Sequence, residues 1–99
     1  PTDNTAASNA ELINNICEPA EVPVICGEKG VCEGCGIATL TIDYYELGQI
    51  TGEMAVDILE NGADVSQMAV RQAEQVKKCY VPERCEKLGI SIPDDYEEL

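Results

Sequence analysis

Residues Thr39 to Gly52, T-L-T-I-D-Y-Y-E-L-G-Q-I-T-G, run from apolar and β-branched positions into an aspartate and then into an amphipathic helix. A strand that feeds directly into a helix N-terminus restricts the chain to the α/β class. Free backbone N–H groups and the positive end of the helix dipole converge at such a junction, and open α/β sheets bind their ligands there. Asp43 either caps the helix or turns an acceptor into a cleft. Tyr44 and Tyr45 bring apolar area and hydroxyl groups to the same corner.

The rest of the chain alternates in the same sense. Asp3, Asn4 and Thr5 are good N-caps for a helix expected to run to about Cys17, with Ala6, Ala10, Ile13 and Cys17 as its apolar stripe. Pro19 stops it. Residues 21–26, E-V-P-V-I-C, read as a short buried strand, with Pro23 marking its start or an edge. Residues 27–36 hold four glycines and two cysteines and read as a loop with at most one helical turn. Residues 37–42 are the second strand, and Asp43 caps a long helix to about Glu60 that Asn61-Gly62 ends. Its stripe of Leu47, Ile50, Met54 and Ile58 is core. Residues 65–81 fit a helix by composition and a strand by loose alternation. Pro82 opens a short helix closed by Gly89, residues 90–93 are extended because Pro93 keeps Ile92 out of the helical region, and the acidic tail is expected to be solvated. Parallel pairing of the 22–26 and 37–42 strands follows from the alternation.

Ninety-nine residues suffice for one modest core. There is no Trp, Phe or His. Without histidine, neither a Ser-His-Asp nor a Cys-His catalytic arrangement can be assembled from this chain. Six Lys and Arg stand against nineteen Asp and Glu, a net charge of −13. That balance argues against nucleic acid, whose phosphates need basic residues, and against an anionic membrane surface. The first residues show no positive segment followed by an apolar run.

Six cysteines is a high count for this length: Cys17, Cys26, Cys32, Cys35, Cys79 and Cys85. Cys32 and Cys35 form a C-x-x-C, which suits structural thiols, a disulfide, a redox pair or half a zinc site. Structural thiols or disulfides are favoured, because Cys79 and Cys85 are spaced too widely to supply a second C-x-x-C.

Several segments together carry a family likeness: P-T-D-N-T-A-A-S-N-A, V-P-V-I, G-I-A-T-L-T-I-D-Y-Y-E-L-G-Q-I-T-G-E-M-A, I-L-E-N-G and K-L-G-I-S-I-P. In this order they resemble the C-terminal part of ABC-transporter substrate-binding proteins of the tryptophan/tyrosine type. The resemblance implies a type I periplasmic-binding-protein fold, with two flavodoxin-like α/β lobes, a parallel sheet flanked by helices in each, joined by crossing hinge strands. A solute is held between the lobes, and closure presents the protein to an ABC permease. On this reading residues 1–99 are one partial lobe, the last third of a complete protein, with a hinge crossing near residues 70–80. The chain would be a fragment, prone to self-association or paired with a missing N-terminal fragment. The parent would be extracytoplasmic, either periplasmic or a membrane-tethered lipoprotein.

The resemblance also places a site. Thr2, Asp3 and Asn4 correspond to a helix N-terminus at the cleft, where a solute carboxylate would accept from Asn4 and the first N–H groups. Gly27 and Glu28 follow the first strand on the cleft edge. Asp43 and Tyr44 would meet an ammonium and an aromatic ring, which makes an amino acid the expected solute. No cofactor and no catalytic residue is implied. Asp3 and Asp43 fit equally well as plain helix caps. The cysteines lie outside the family pattern; if the parent is exported, Cys32 and Cys35 or their neighbours are expected to be oxidised and to clamp the glycine-rich segment. Two other readings compete: a cysteine-based metal-binding or redox module, and a flavodoxin-like interaction scaffold.

Overall fold

The computed structural model describes residues 2–99. Their contacts group into two compact units: one holds the chain up to Thr41 together with Lys77–Leu99, the other Ile42–Val76. The first unit is a mixed α/β layer. Its elements are helices α1 (Asn4–Ser8) and α2 (Ala10–Cys17), strand β1 (Ile25–Cys26), helix α3 (Lys29–Cys35), strand β2 (Ala38–Ile42, whose last residue opens the second unit), strand β3 (Val76–Tyr80, entered from that unit), helix α5 (Pro82–Lys87) and strand β4 (Glu97–Glu98). The sheet order is β1-β2-β3-β4. β1 pairs parallel with β2, in the register Cys26 to Thr39, as expected from the sequence. β3 pairs parallel with β4.

Two apolar clusters fill this unit. Cys26, Val31, Cys32 and Cys35 form one, closed by Ala10, Ile13, Val24, Val81 and Leu99. Ile37, Ala38 and Cys85 form the other, with Tyr80, Leu88, Ile90, Ile92 and Tyr96 against them. Cysteine serves here as a small hydrophobe.

Four local expectations are corrected. The first helix is broken at Asn9, whose Nδ2 donates to the Thr5 carbonyl at 2.7 Å and whose backbone leaves the helical region at φ −119. Asparagine competes for the backbone in this way, which is why it interrupts helices. The first strand keeps only Ile25 and Cys26, because Glu21 sits at a positive φ of 54 and Pro23 gives no N–H to a ladder. The glycine-rich segment is helix α3 rather than loop. The acidic tail is not solvated throughout: Glu97–Glu98 join the sheet, the Leu99 N–H donates to the Tyr80 carbonyl at 2.8 Å, and Tyr96 and Leu99 pack into the two clusters.

Helix α3 carries Gly30 and Gly34, each costing roughly 1 kcal/mol relative to alanine in a helix interior. Its ends make up for this. At the start, Glu28 accepts from the N–H groups of Gly30 at 2.7 Å and Val31 at 3.0 Å. At the end, Arg84 of α5 donates to four carbonyls: Cys32 and Gly36 at 3.2 Å, Glu33 and Gly34 at 3.0 Å. A fifth bond runs from Arg84 Nε to Asn14 Oδ1 of α2 at 3.0 Å. A cation over the last carbonyls of a helix satisfies orphan acceptors and complements the dipole. Gly34 permits the close approach of α2, since a Cβ there would lie 2.6 Å from Ala10 Cβ.

The second unit is built on α4 (Tyr44–Leu59), which ends before Gly62 at φ 67, followed by a 3-10 turn at Val65–Gln67. Ile50 is its buried residue. The returning segment is tied to α4 by Arg71 to Glu53 at 2.9 Å and by the Glu74 N–H to Glu46 at 3.3 Å. Further ion pairs in the first unit are Lys29 with Glu33, Lys87 with Glu18, and Lys78 with Asp95. The Lys78 ammonium also lies 5.9 Å from the centre of the Tyr96 ring.

Two substitutions test this account. Arg84→Ala takes a donor from four carbonyls, of which that of Cys32 keeps the Gly36 N–H, and is expected to cost about 2–3 kcal/mol in chemical denaturation. Arg84→Lys should recover only part of that, because an ammonium cannot reach the same set of acceptors. Thr39 is 1% exposed and its hydroxyl has no partner among the described residues, so Thr39→Val should raise stability by about 1 kcal/mol in the same assay.

Candidate functional site

The strand-to-helix junctions of the sequence are present. β1 ends at Cys26 and is followed by Gly27 and Glu28; β2 ends at Ile42 and is followed by Asp43 and Tyr44. Asp3 precedes α1 and Asn4 is its first residue. Thr2, Asp3, Asn4 and Gly27 are exposed, and Glu28 and Asp43 are half-buried. Tyr44 is 57% exposed and Tyr45 76%, so neither ring is spent on packing.

The three acidic candidates share one job. Asp3 Oδ1 accepts from the N–H groups of Thr5 at 2.9 Å and Ala6 at 3.0 Å. Glu28 closes the start of α3 with both carboxylate oxygens. Asp43 Oδ1 accepts from Tyr45 at 2.9 Å and Glu46 at 3.4 Å. Each is an N-cap, a position that short acceptor side chains favour; glutamate at Glu28 is the unusual member, which hid α3 from the sequence. One consequence bears on recognition. Two of the first-turn N–H groups of α1 that were expected to meet a solute carboxylate, those of Thr5 and Ala6, already bond Asp3. The backbone N–H and the side-chain amide of Asn4 are further donors at that position.

Thr2 to Asn4 and Gly27 to Glu28 lie in the first unit, Asp43 and Tyr44 in the second. The first unit also holds a cavity of about 430 Å³, lined among others by Asn14, Glu18, Val22, Ile37, Arg84 and Lys87. None of the candidate residues lines it. It opens beside the end of α2 and before the first residue of β2, away from the carboxyl ends of the strands. Lys87 pairs with Glu18 there at 2.5 Å, and that pair together with Asn14 holds the Glu18 carboxyl below its ordinary range.

This arrangement of helices on a mostly parallel sheet recurs in known proteins. The ABC transporter substrate binding protein family matches residues 1–97. The chain belongs to that family. A tyrosine-binding protein of Clostridioides difficile is 30% identical over 77 residues, 78% of this chain and 22% of that protein. The ligand-free, open structure of a substrate binding protein with adhesive properties from Clostridium difficile superposes with a TM-score of 0.77 at 35% identity, covering 100% of this chain and 34% of the other. An ABC domain from Streptococcus pneumonia in complex with L-Trp superposes at 0.84 with 27% identity, covering 99% and 35%. These are periplasmic-binding-protein folds, and the chain spans between a fifth and about a third of their length.

In this chain all six cysteines are thiols, so the bond expected between Cys32 and Cys35 is not formed in the structure. Both sit in one helix, three residues apart, and Cys35 Sγ donates to the Val31 carbonyl at 3.3 Å within the same turn. Among the described residues no group of three or more His, Cys, Asp or Glu is placed to hold a metal ion. Burial pushes the Cys26 thiol up to about 11 and the Cys32 thiol to about 12, and raises those of Cys79 and Cys85. Thiols with raised pKa are poor nucleophiles, which suits packing rather than redox catalysis.

Both consequences are measurable. Under native conditions at neutral pH, N-ethylmaleimide should modify the partly exposed Cys17 first and reach the five buried thiols far more slowly, as local or global opening exposes them, read by mass spectrometry. Because folding raises these thiol pKa values, the unfolded chain ionises first. Their stabilising contribution is fully present below the ordinary value of 9.0 and is lost as pH rises toward 11. The thermal midpoint should therefore hold up to about pH 9 and fall above it.

Proposed function

We propose that this chain is part of the solute-binding component of an ABC importer, and that its solute is an amino acid with an aromatic side chain. The family match over residues 1–97 carries the proposal. Two relatives support its finer part: one is a tyrosine-binding protein, and another was solved with L-Trp. The exposed rings of Tyr44 and Tyr45 supply apolar, stackable area next to the carboxylate of Asp43.

The roles follow from charge and hydrogen-bonding capacity. Asp43 offers a negative acceptor to the solute ammonium while one of its oxygens caps α4. The Asn4 amide donates to the solute carboxylate. Thr2, Gly27 and Glu28 shape the surrounding surface, Asp3 and Glu28 acting through the helix starts they cap. Nothing in this set performs covalent chemistry, and the protein acts by binding, release and presentation to a permease. In that account the parent is extracytoplasmic, and the crossing that joins its lobes runs through the 70–80 segment, which contains β3. No helix among the described residues is long and apolar enough to cross a membrane.

A pair of substitutions in the full-length protein separates recognition from capping. Asp43→Asn retains an N-cap acceptor and removes the charge, whereas Asp43→Ala removes both and costs about 0.5–2 kcal/mol of stability. By calorimetry against L-Tyr and L-Trp, both variants should lose about 2–5 kcal/mol of binding, because each leaves the solute ammonium without its counter-charge. Wild-type affinity in Asp43→Asn would reduce Asp43 to a helix cap. If the unaltered protein binds neither L-Tyr nor L-Trp nor any other amino acid, the solute class proposed here is wrong.

A further inference from the structure

Three thiols meet where β1 enters α3. Cys26, at the end of β1, is 4% exposed; Cys32 and Cys35, on α3, are 0% and 3% exposed. A Cβ added at Gly36 would stand 2.5 Å from Cys26 Sγ and 2.9 Å from Cys32 Sγ, so both sulfurs converge on the space that this glycine leaves open. Cys26, Cys32 and Cys35 belong to one buried cluster with Val31. A clamp confined to Cys32 and Cys35 would tie α3 only to itself. A bond from Cys26 would tie the helix to the sheet.

We propose that Cys26 and one α3 thiol, Cys32 or Cys35, form a reversible disulfide modification site that staples β1 to α3 across the Gly27–Glu28 turn. The oxidant is a disulfide, either an oxidised dithiol protein or a low-molecular-weight disulfide. One thiol of the cluster gives up its proton and attacks the oxidant, releasing one reduced thiol and leaving a mixed disulfide. The second thiol then loses its proton and attacks the chain's own sulfur in that mixed disulfide, releasing the second reduced thiol. Two protein thiols are oxidised, and the two electrons and two protons reside on the reduced oxidant.

Because the sulfurs are buried and protonated in the folded chain, exchange waits on a local opening of α3. The helix suits that step, being seven residues long with two interior glycines and held by its two caps. Cys26 brings the bond, and the remaining α3 thiol can attack it, so the staple can move between Cys32 and Cys35 without a further oxidant. Formation fixes Gly27 and Glu28 between two covalently joined elements.

The sequence provides a direct assay. Trypsin cuts after Lys29 and after Arg71, placing Cys26 in the 1–29 peptide and Cys32 with Cys35 in the 30–71 peptide. The Cys17→Ala chain, in which Cys26 is the one cysteine of the first peptide, is oxidised natively with oxidised glutathione, quenched by alkylation in acid and digested without reductant. The expected product is a cross-linked 1–29 and 30–71 pair that reductant separates. It should persist in Cys32→Ala and in Cys35→Ala in that background and vanish when both are changed. A bond retained inside the 30–71 peptide, a cross-link to the peptides carrying Cys79 or Cys85, or full alkylation of every cysteine after oxidation would overturn the proposal. The map of the Cys17→Ala chain decides between these outcomes even if a variant at Cys32 or Cys35 fails to fold.

Discussion

The Arg84 guanidinium spends its donors on backbone carbonyls and one amide rather than on a carboxylate, in a chain with nineteen acidic residues to choose from. That choice makes the first unit a single object. Arg84 closes the end of α3, reaches α2 through Asn14, and stands next to Cys85, whose thiol donates to the Ile37 carbonyl at 3.5 Å within the second cluster. One residue of α5 thus joins two helices, and its neighbour joins the helix to the sheet. A seven-residue helix with two glycines has little stability of its own, since nucleation is costly and propagation short. The capped ends turn it into the crossover between parallel β1 and β2, and that crossover positions the Gly27–Glu28 turn.

The legible parts of the sequence were those in which local preference and tertiary demand agree. The T-L-T-I run followed by aspartate and an amphipathic stretch produced β2, an Asp43 cap and α4 within a residue or two of expectation. Pro82 and Gly89 bracketed α5 in the same way. Where tertiary contacts decided the outcome, the sequence misled. Glycines made α3 read as loop, because the compensation comes from Arg84, some fifty residues away in the chain. The tail read as solvated because its glutamates dominate the composition, while its strand depends on Tyr96 and Leu99 finding the two clusters. The break at Asn9 is a contest between a side-chain amide and the helix backbone, which periodicity does not register.

The candidate site was legible as positions and less so as roles. Acidic residues at strand-to-helix junctions suit both capping and ligand binding for the same physical reason: exposed N–H groups attract acceptors of either origin. Asp3, Glu28 and Asp43 show that the chain supplies its own acceptor at each of these helix starts. A solute arriving at such a junction meets a helix end already neutralised in part. In the binding role proposed above, recognition would shift to the Asn4 amide and the exposed tyrosine rings, and to the charge a capping carboxylate retains. The buried cysteines carried no family signal, and their convergence beneath Gly36 is visible only in three dimensions.

The ion pairs of the two units have a consequence for the solvent around the protein. Lys29, Arg71, Lys78 and Lys87 each face a carboxylate of the same chain, and Arg84 faces carbonyls. With six cations against nineteen acidic side chains, most of the negative charge has no equal number of basic groups to offset it. Such a surface repels itself over a distance set by the Debye length, about 8 Å at physiological ionic strength. Added electrolyte shortens that reach and favours the compact state. The same field draws counter-ions close, so any molecule reaching this surface approaches through a cation-rich layer of water.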